Sequence, residues 1–345
     1  MPDEPADRIH LSAVEAQNLS ERSMRGIGYD AEEARILADH VMDAALCGYE
    51  YSGLPKLLNI VDSRRFKEPR RPLRIVKETS VSALIDGGNN VGMLAIYYAA
   101  QDAIKRAKRH GIAIVCMSNA WMSGRSAHFC EMIAREGLIG IHTVASDPRV
   151  TPFGGSKATL GTNPIAFGFP TEGEPLVIDM GTSAFMATDL QFRERLGTPI
   201  PDGVALDPDG RPTTDAGDAL RGALLPFGGP AGGYKGFGLA LATDAIGSLC
   251  ATARALGDTR GYLVIAFKPD LFLPLDDYRR DLSRRIAAIK ASPRQDGVNE
   301  IRIPGERSQH ERERLRREGI EIDRKIYDAL GRLAEGEHNH GAGPA

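Results

Sequence analysis

The 345-residue chain has no CxxC pair, no long apolar run and no excess of charge of either sign. Its four cysteines, Cys47, Cys116, Cys130 and Cys250, lie far apart, each in or beside an apolar stretch. That spacing argues against a zinc site or a disulfide framework and for reduced thiols. No apolar stretch approaches the roughly 20 residues that span a bilayer. The acidic start Met1-Pro2-Asp3-Glu4 lacks the apolar core of a signal peptide, so a cytoplasmic location without a membrane partner is expected. With 43 Lys+Arg against 46 Asp+Glu the net charge is -3, and no global field points to nucleic acid. A strand followed by GxGxxG and a helix is also missing. Gly87-Gly88-Asn89-Asn90-Val91-Gly92 comes nearest with the wrong spacing, so a Rossmann domain is not expected.

What is present supports a large mixed fold, since 42% of the residues are hydrophobic. Ser12-Ala13-Val14-Glu15 and Asp30-Ala31-Glu32-Glu33 are capping-box patterns, each opening a stretch with helical apolar spacing. Glu68-Pro69-Arg70-Arg71-Pro72 then breaks the chain. Beyond it, strands are expected at Val81–Ile85, Ile112–Met117, Leu138–Val144 and Tyr262–Phe267, with short apolar runs at Ile165–Phe169 and Leu176–Ile178. Helices are expected at Leu94–Arg109, His128–Arg135, Gly236–Ala253 and Tyr278–Ala291, with two more near the C-terminus. Gly197 to Gly233 is rich in Gly, Pro and Asp and reads as an extended surface excursion. The resulting division is a helical module over 1–75 joined by helices in 307–334, an α+β domain over 76–306, and a disordered tail over 335–345.

Several segments can carry chemistry. Pro152-Phe153-Gly154-Gly155 and Gly161-Thr162-Asn163-Pro164 expose backbone N–H groups with few side chains in the way, as a close approach to an anionic or planar ligand requires. Each is also an ordinary tight turn. Asp179 follows an apolar strand and precedes Gly181-Thr182-Ser183, where it can orient a ligand or cap a helix. Lys235-Gly236 opens a helix, where the free N–H groups and the macrodipole already favour an anion. Asp207-Pro208-Asp209-Gly210 has proline at its second position and no downstream acidic ligands, so it reads as a turn; no metal site is expected. The run Glu311 to Arg317 interleaves glutamates with arginines and reads as a solvated helix face.

Taken in order, Leu160-Gly161-Thr162-Asn163-Pro164-Ile165-Ala166-Phe167, Ile178-Asp179-Met180-Gly181-Thr182-Ser183, Lys235-Gly236-Phe237-Gly238-Leu239 and Ile303-Pro304-Gly305-Glu306 resemble the type-2 malate/L-lactate dehydrogenases over nearly the whole chain. The resemblance implies a non-Rossmann α+β fold, with a helical module packed on a mostly antiparallel sheet domain. It further implies a homodimer acting on a small molecule. An NAD(P)H site is implied at Asp179, Met180, Gly181, Thr182, Ser183, Lys235, Gly236, Pro304, Gly305 and Glu306, with NADH or NADPH left open.

The departures lie on the substrate side. The family's Ser-His pair falls on Tyr51-Ser52, and a second family histidine falls on Met122. Tyr51 is either a substitute proton donor or an aromatic at the pocket mouth; Ser52 occupies the histidine's place. His128, six residues past Met122, can turn toward the pocket or remain structural, whereas His40 and His142 sit in apolar settings and read as packed. Trp121 and Met122, with Gly155 and Thr162, are the expected substrate contacts. Ketone reduction needs a proton at the new alkoxide, help worth about 10² to 10⁴-fold. A protonated imine already carries that proton. The substitutions therefore suit a cyclic imino acid better than a 2-oxo acid; reduction of a C=N or C=O bond next to a carboxylate is the expected reaction, against an alternative in which the fold serves a non-redox enzyme or a binding protein.

Overall fold

Local signals set the first helices of the computed structural model, which describes residues 7–250 and 261–337. After β1 (Arg8–Leu11), the Ser12 side chain accepts the Glu15 N–H while the Glu15 carboxylate accepts the Ser12 N–H, opening α1 (Ala13–Gly26). Asp30 and Glu33 repeat this reciprocal cap for α2 (Ala31–Leu46). A 3-10 turn at Glu50–Ser52 leads into α3 (Pro55–Asp62), whose proline sits in the first turn where its missing N–H costs nothing.

The chain divides into two compact units, one made of Met1–Pro69 with Arg307–Ala345, the other of Arg70–Glu306. The second unit begins with β2 (Arg74–Glu78), β3 (Ser82–Val91), α4 (Gly92–His110), β4 (Ile112–Trp121), α5 (Ser126–Arg135) and β5 (Ile139–Ala145). It continues through β6 (Ile165–Phe169), β7 (Leu176–Met180), α6 (Ala187–Leu196), β8 (Ala205–Leu206), α7 (Ala216–Arg221), β9 (Ala223–Leu224) and α8 (Gly229–Gly247). After β10 (Gly261–Phe267) and α9 (Leu275–Lys290), α10 (Glu306–Glu318), β11 (Ile320–Asp323) and α11 (Arg324–Ala334) complete the chain.

Seven strands form one sheet in the order β2-β3-β4-β10-β5-β6-β7. Only β3 and β4 run parallel, joined by α4; every other neighbour is antiparallel. The fold is therefore α+β without a Rossmann unit. Along α4, Ala95, Ile96, Ala99, Ala100, Ala103, Ile104 and Ala107 recur at helical spacing and pack on Val115, Met117, Val264 and Ala266. Gly111 stops the helix at φ +89°, a conformation that suits glycine.

The segment from 197 to 233 is not the extended excursion its composition suggests. It contributes Ile200, Ala205, Ala216, Ala219 and Leu224 to a second core with Val150, Leu160, Leu190 and Ala240. These apolar residues are sparse and aperiodic, yet each is buried. Helix α8 starts at Gly229, ahead of the expected Gly236, and Ala251–Ala253 of the expected helix lie outside the described residues. Most of the expected tail also lies outside them. In the first unit β1 pairs antiparallel with β11, and the Ser23 hydroxyl donates to the Leu330 carbonyl. The run Glu311–Arg317 is not wholly a solvated face, because Arg312 is buried with its guanidinium 2.7 Å from Asp43.

Candidate functional site

Two motifs far apart in sequence meet just beyond β7. The Thr182 N–H and hydroxyl both donate to the Thr162 carbonyl at 2.9 Å. The Thr182 carbonyl in turn accepts the Phe227 N–H, and the Ala184 N–H donates to the Leu225 carbonyl, which fixes the entry into α8. Asn163, fully buried at φ +32°, accepts the Ser146 N–H and donates to the Ala240 carbonyl on α8. The segment around Thr162, the strand end at Thr182 and Ser183, and the start of α8 therefore form one hydrogen-bonded group.

Close packing at α8 requires glycine. A Cβ on Gly236 would lie 2.4 Å from the Phe227 carbonyl oxygen, and one on Gly233 would lie 2.7 Å from the Phe153 ring. The Phe153 and Tyr234 rings meet edge to face at 6.4 Å, joining the Pro152–Gly155 turn to the helix. Around Gly154, Gly229 and Gly232 the space is open, with no heavy atom within 4 Å of a notional Cβ. Lys235 is exposed, its ammonium 5.8 Å from the Tyr234 ring centre. An uncrowded backbone, a helix N-terminus and a cation make a donor set that fits an anionic nucleotide.

The acidic groups are engaged locally. Asp179 Oδ2 accepts the Ala127 N–H at 2.8 Å, so this carboxylate serves the first turn of α5. Desolvation raises its pKa, opposed by the Ala127 N–H, the Arg125 charge and the Ser126 N–H, although the residue as a whole is open to solvent. The N–H bond needs an acceptor, and an ionised carboxylate satisfies it best. Glu306 accepts the Ile303 N–H at 3.0 Å and pairs with Lys290. Gly305, at φ +92°, brings the Pro304–Glu306 turn against the Val177 carbonyl on β7. Met180 is exposed beside them, and the sulfur of Met186 closes on Gly181.

At the end of β4 the backbone is irregular. Asn119 and Met122 adopt φ +50° and +60°, a region that non-glycine residues occupy mostly under constraint. Trp121 is buried with its indole N–H bonded to the Asn89 carbonyl at 3.1 Å. His128 lies half-buried in the first turn of α5, its ring edge-on to Phe129 at 5.6 Å.

In the first unit, Tyr51 packs edge to face on Tyr49 at 6.1 Å, and Ser52 is buried. Glu50 is held by a bidentate Arg8 at 2.8 and 3.1 Å. One turn on, Lys56 is only 5% exposed, and burial lowers its pKa to about 8. Sequence reading passed over this residue; its sole signal was one charge inside the run Leu54-Pro55-Lys56-Leu57-Leu58.

Residues 11–331 match the malate/L-lactate dehydrogenase family. The chain belongs to that family. It is 34% identical over 319 residues to the L-sulfolactate dehydrogenase of Methanocaldococcus jannaschii, covering 89% of this chain and 91% of the relative. It is 31% identical over 347 residues to the delta(1)-pyrroline-2-carboxylate reductase 2 of Burkholderia multivorans, covering 96% and 99%. The malate dehydrogenase structure of Pyrococcus horikoshii superposes with a TM-score of 0.85 at 30% identity, covering 99% of each chain. As a malate/L-lactate dehydrogenase family member, the chain is an NAD(P)-dependent oxidoreductase acting on a small molecule. Among the described residues no helix is long and apolar enough to cross a membrane, and no group of three or more His, Cys, Asp or Glu could hold a metal ion.

Proposed function

We propose that the chain is a cytoplasmic, homodimeric reductase that uses NADH or NADPH to reduce a C=N or C=O bond next to a carboxylate, in a cyclic imino acid or a 2-oxo acid. The observation that carries this reading is a contrast: the segments that fit a nucleotide remain, while Tyr51-Ser52 stands where the family has Ser-His. A sulfolactate dehydrogenase and a pyrroline-2-carboxylate reductase among the relatives are consistent with both bond types.

When bound, the reduced nicotinamide supplies a hydride. The N-terminus of α8 and Lys235 hold its phosphates, and the chain from Asp179 to Ser183 with the Pro304–Glu306 turn lines the rest of its site. Thr162, Gly155, Trp121 and Met122 shape the substrate side, and Tyr51, Ser52 and His128 are the groups of the proton chemistry named from sequence. The dimer reading draws support from α8, where Tyr234 and Leu241 remain 55% and 52% exposed although Ala240 and Gly236 on the same helix are buried.

The test is titration of the purified protein with NADH and NADPH, followed by nicotinamide fluorescence and thermal shift. Saturable binding is expected, followed by turnover of a cyclic imino acid or a 2-oxo acid. Absence of binding at millimolar concentration overturns the proposal.

A further inference from the structure

The four cysteines are far apart in sequence, yet the second unit brings two of them together. Cys116 on β4 stands opposite Leu263 on β10, so the two side chains share one face of the sheet. Gly261, two residues before Leu263, belongs to the same face, the one turned away from α4. Helix α8 ends against it. A Cβ on Gly247 would lie 2.1 Å from the Ala145 Cβ, and one on Gly261 would lie 2.4 Å from the Gly247 carbonyl oxygen. These two glycines let the last turn of α8 rest directly on β5 and β10, and the 3-10 turn Ser248–Cys250 follows against β10 and β4. Cys250 is thereby fully buried, its Cβ 2.7 Å from the notional Cβ of Gly261 and its thiol donating to the Tyr262 carbonyl at 3.2 Å. The same sulfur meets the Cys116 thiol in a hydrogen bond.

We propose that Cys116 and Cys250 form a redox-modification site, a dithiol that hydroperoxides convert reversibly into a disulfide. Cys116 reacts first. It is partly exposed while Cys250 is not, and the Cys250 hydrogen bond draws its pKa down against the burial that opposes it. That bond and burial together keep Cys250 protonated. Cys130 differs on both counts, since it is fully buried and desolvation pushes its thiol well above the ordinary range.

The Cys116 thiolate attacks one peroxide oxygen, the O–O bond breaks, and an alcohol or water leaves with a proton from solvent. A sulfenic acid remains on Cys116. The Cys250 sulfur then attacks the Cys116 sulfur, the S–O bond breaks, and the departing hydroxide takes the Cys250 proton as water. Two thiols and one hydroperoxide thus give one disulfide, one alcohol or water, and one further water. A thiol reductant restores the pair by exchange. Cytosolic disulfides are mostly transient ones of this kind. Closing the bond draws the sulfurs to about 2.05 Å and ties the end of α8 to β4.

The experiment exposes the full-length protein, and its Cys116→Ser and Cys250→Ser variants, to a small molar excess of hydrogen peroxide near neutral pH. Remaining thiols are blocked with iodoacetamide in urea. Disulfides are then reduced and labelled with N-ethylmaleimide, and the peptides are read by mass spectrometry. The wild type is expected to carry the second label on Cys116 and Cys250 together, with Cys47 and Cys130 blocked by the first. Dithiothreitol added after peroxide is expected to abolish that labelling. Cys250→Ser is expected to stop at the sulfenic acid, trapped on Cys116 by dimedone, and Cys116→Ser is expected to leave Cys250 reduced. Circular dichroism checks that both variants fold. Four thiols that all survive peroxide in the wild type overturn the inference. So does labelling spread evenly over the four cysteines, or a cross-link confined to covalent dimers, which makes the thiols contacts between copies. No readout depends on turnover, so failure here leaves the reductase reading standing.

Discussion

His142 gives the sharpest test of how this core is built. It sits fully buried on β5, with Nδ1 2.9 Å from the Leu263 carbonyl of β10 and its ring edge-on to Phe129. A carbonyl only accepts, so Nδ1 carries the proton and Nε2 presents a lone pair, which finds no partner among the described residues. Charging the ring would place a second N–H where nothing receives it, and burial accordingly depresses the pKa from 6.5 to about 4. The unfolded chain takes up a proton below about 6.5 while the folded chain refuses it until about 4. Stability is therefore fully present above pH 6.5 and is lost as pH falls toward 4. At about 1.4 kcal/mol per pH unit the loss totals about 3 kcal/mol. In His142→Leu this loss disappears. The variant should be less stable by about 1–2 kcal/mol at pH 7, because the Leu263 carbonyl loses a donor. Urea denaturation of both proteins between pH 4.5 and 7.5 should give curves that converge and cross near pH 5. Curves that stay parallel would refute the reasoning, for they would mean that the ring protonates as readily folded as unfolded.

Two glycines of α8 should answer alanine with opposite signs. Gly236→Ala drives a Cβ into the Phe227 backbone and should lower both thermal stability and NAD(P)H affinity, the latter at least tenfold by fluorescence titration, whereas Gly238→Ala meets open space and should stabilise by about 0.5–1 kcal/mol. Asn163→Leu leaves the Ser146 N–H without its acceptor, while the Ala240 carbonyl keeps the Thr243 hydroxyl, and should cost about 1–3 kcal/mol in a urea midpoint assay. Arg312→Met removes the guanidinium paired with a largely buried Asp43 and should cost about 2–4 kcal/mol, with Asp43→Asn in the same chain recovering part of the loss in a double-mutant cycle.

What the sequence discloses depends on how local each cause is. Ser12 with Glu15, Asp30 with Glu33, and Gly111 act within one turn, so both helix starts and the end of α4 could be read directly. The strand at Ile165–Phe169 was marked by its own apolar run. Strands β1 and β11, four residues each, exist because each has the other, and neither carries a run of its own. The start of α8 was masked by Gly229, Pro230, Gly232 and Gly233, residues that disfavour a helix, of which Gly233 permits its packing against Phe153. Around the site the order of the motifs was legible, and the hydrogen bonds between Thr162 and Thr182 join two of them. Lys56 was not, since a lysine's letter says nothing of whether it faces water.

The pairing of β1 with β11 also has a bearing on synthesis. His10 meets its strand partner Glu321 across a separation of 311 residues. At roughly 5–20 residues per second, β1 waits on the order of 15–60 s for the strand that completes it. Throughout that interval α1 lacks α11, and the face of α1 that packs on it stays uncovered on a nascent chain. A segment made well before its partner is thus among the last to be finished, and this is the stretch a chaperone has most reason to hold.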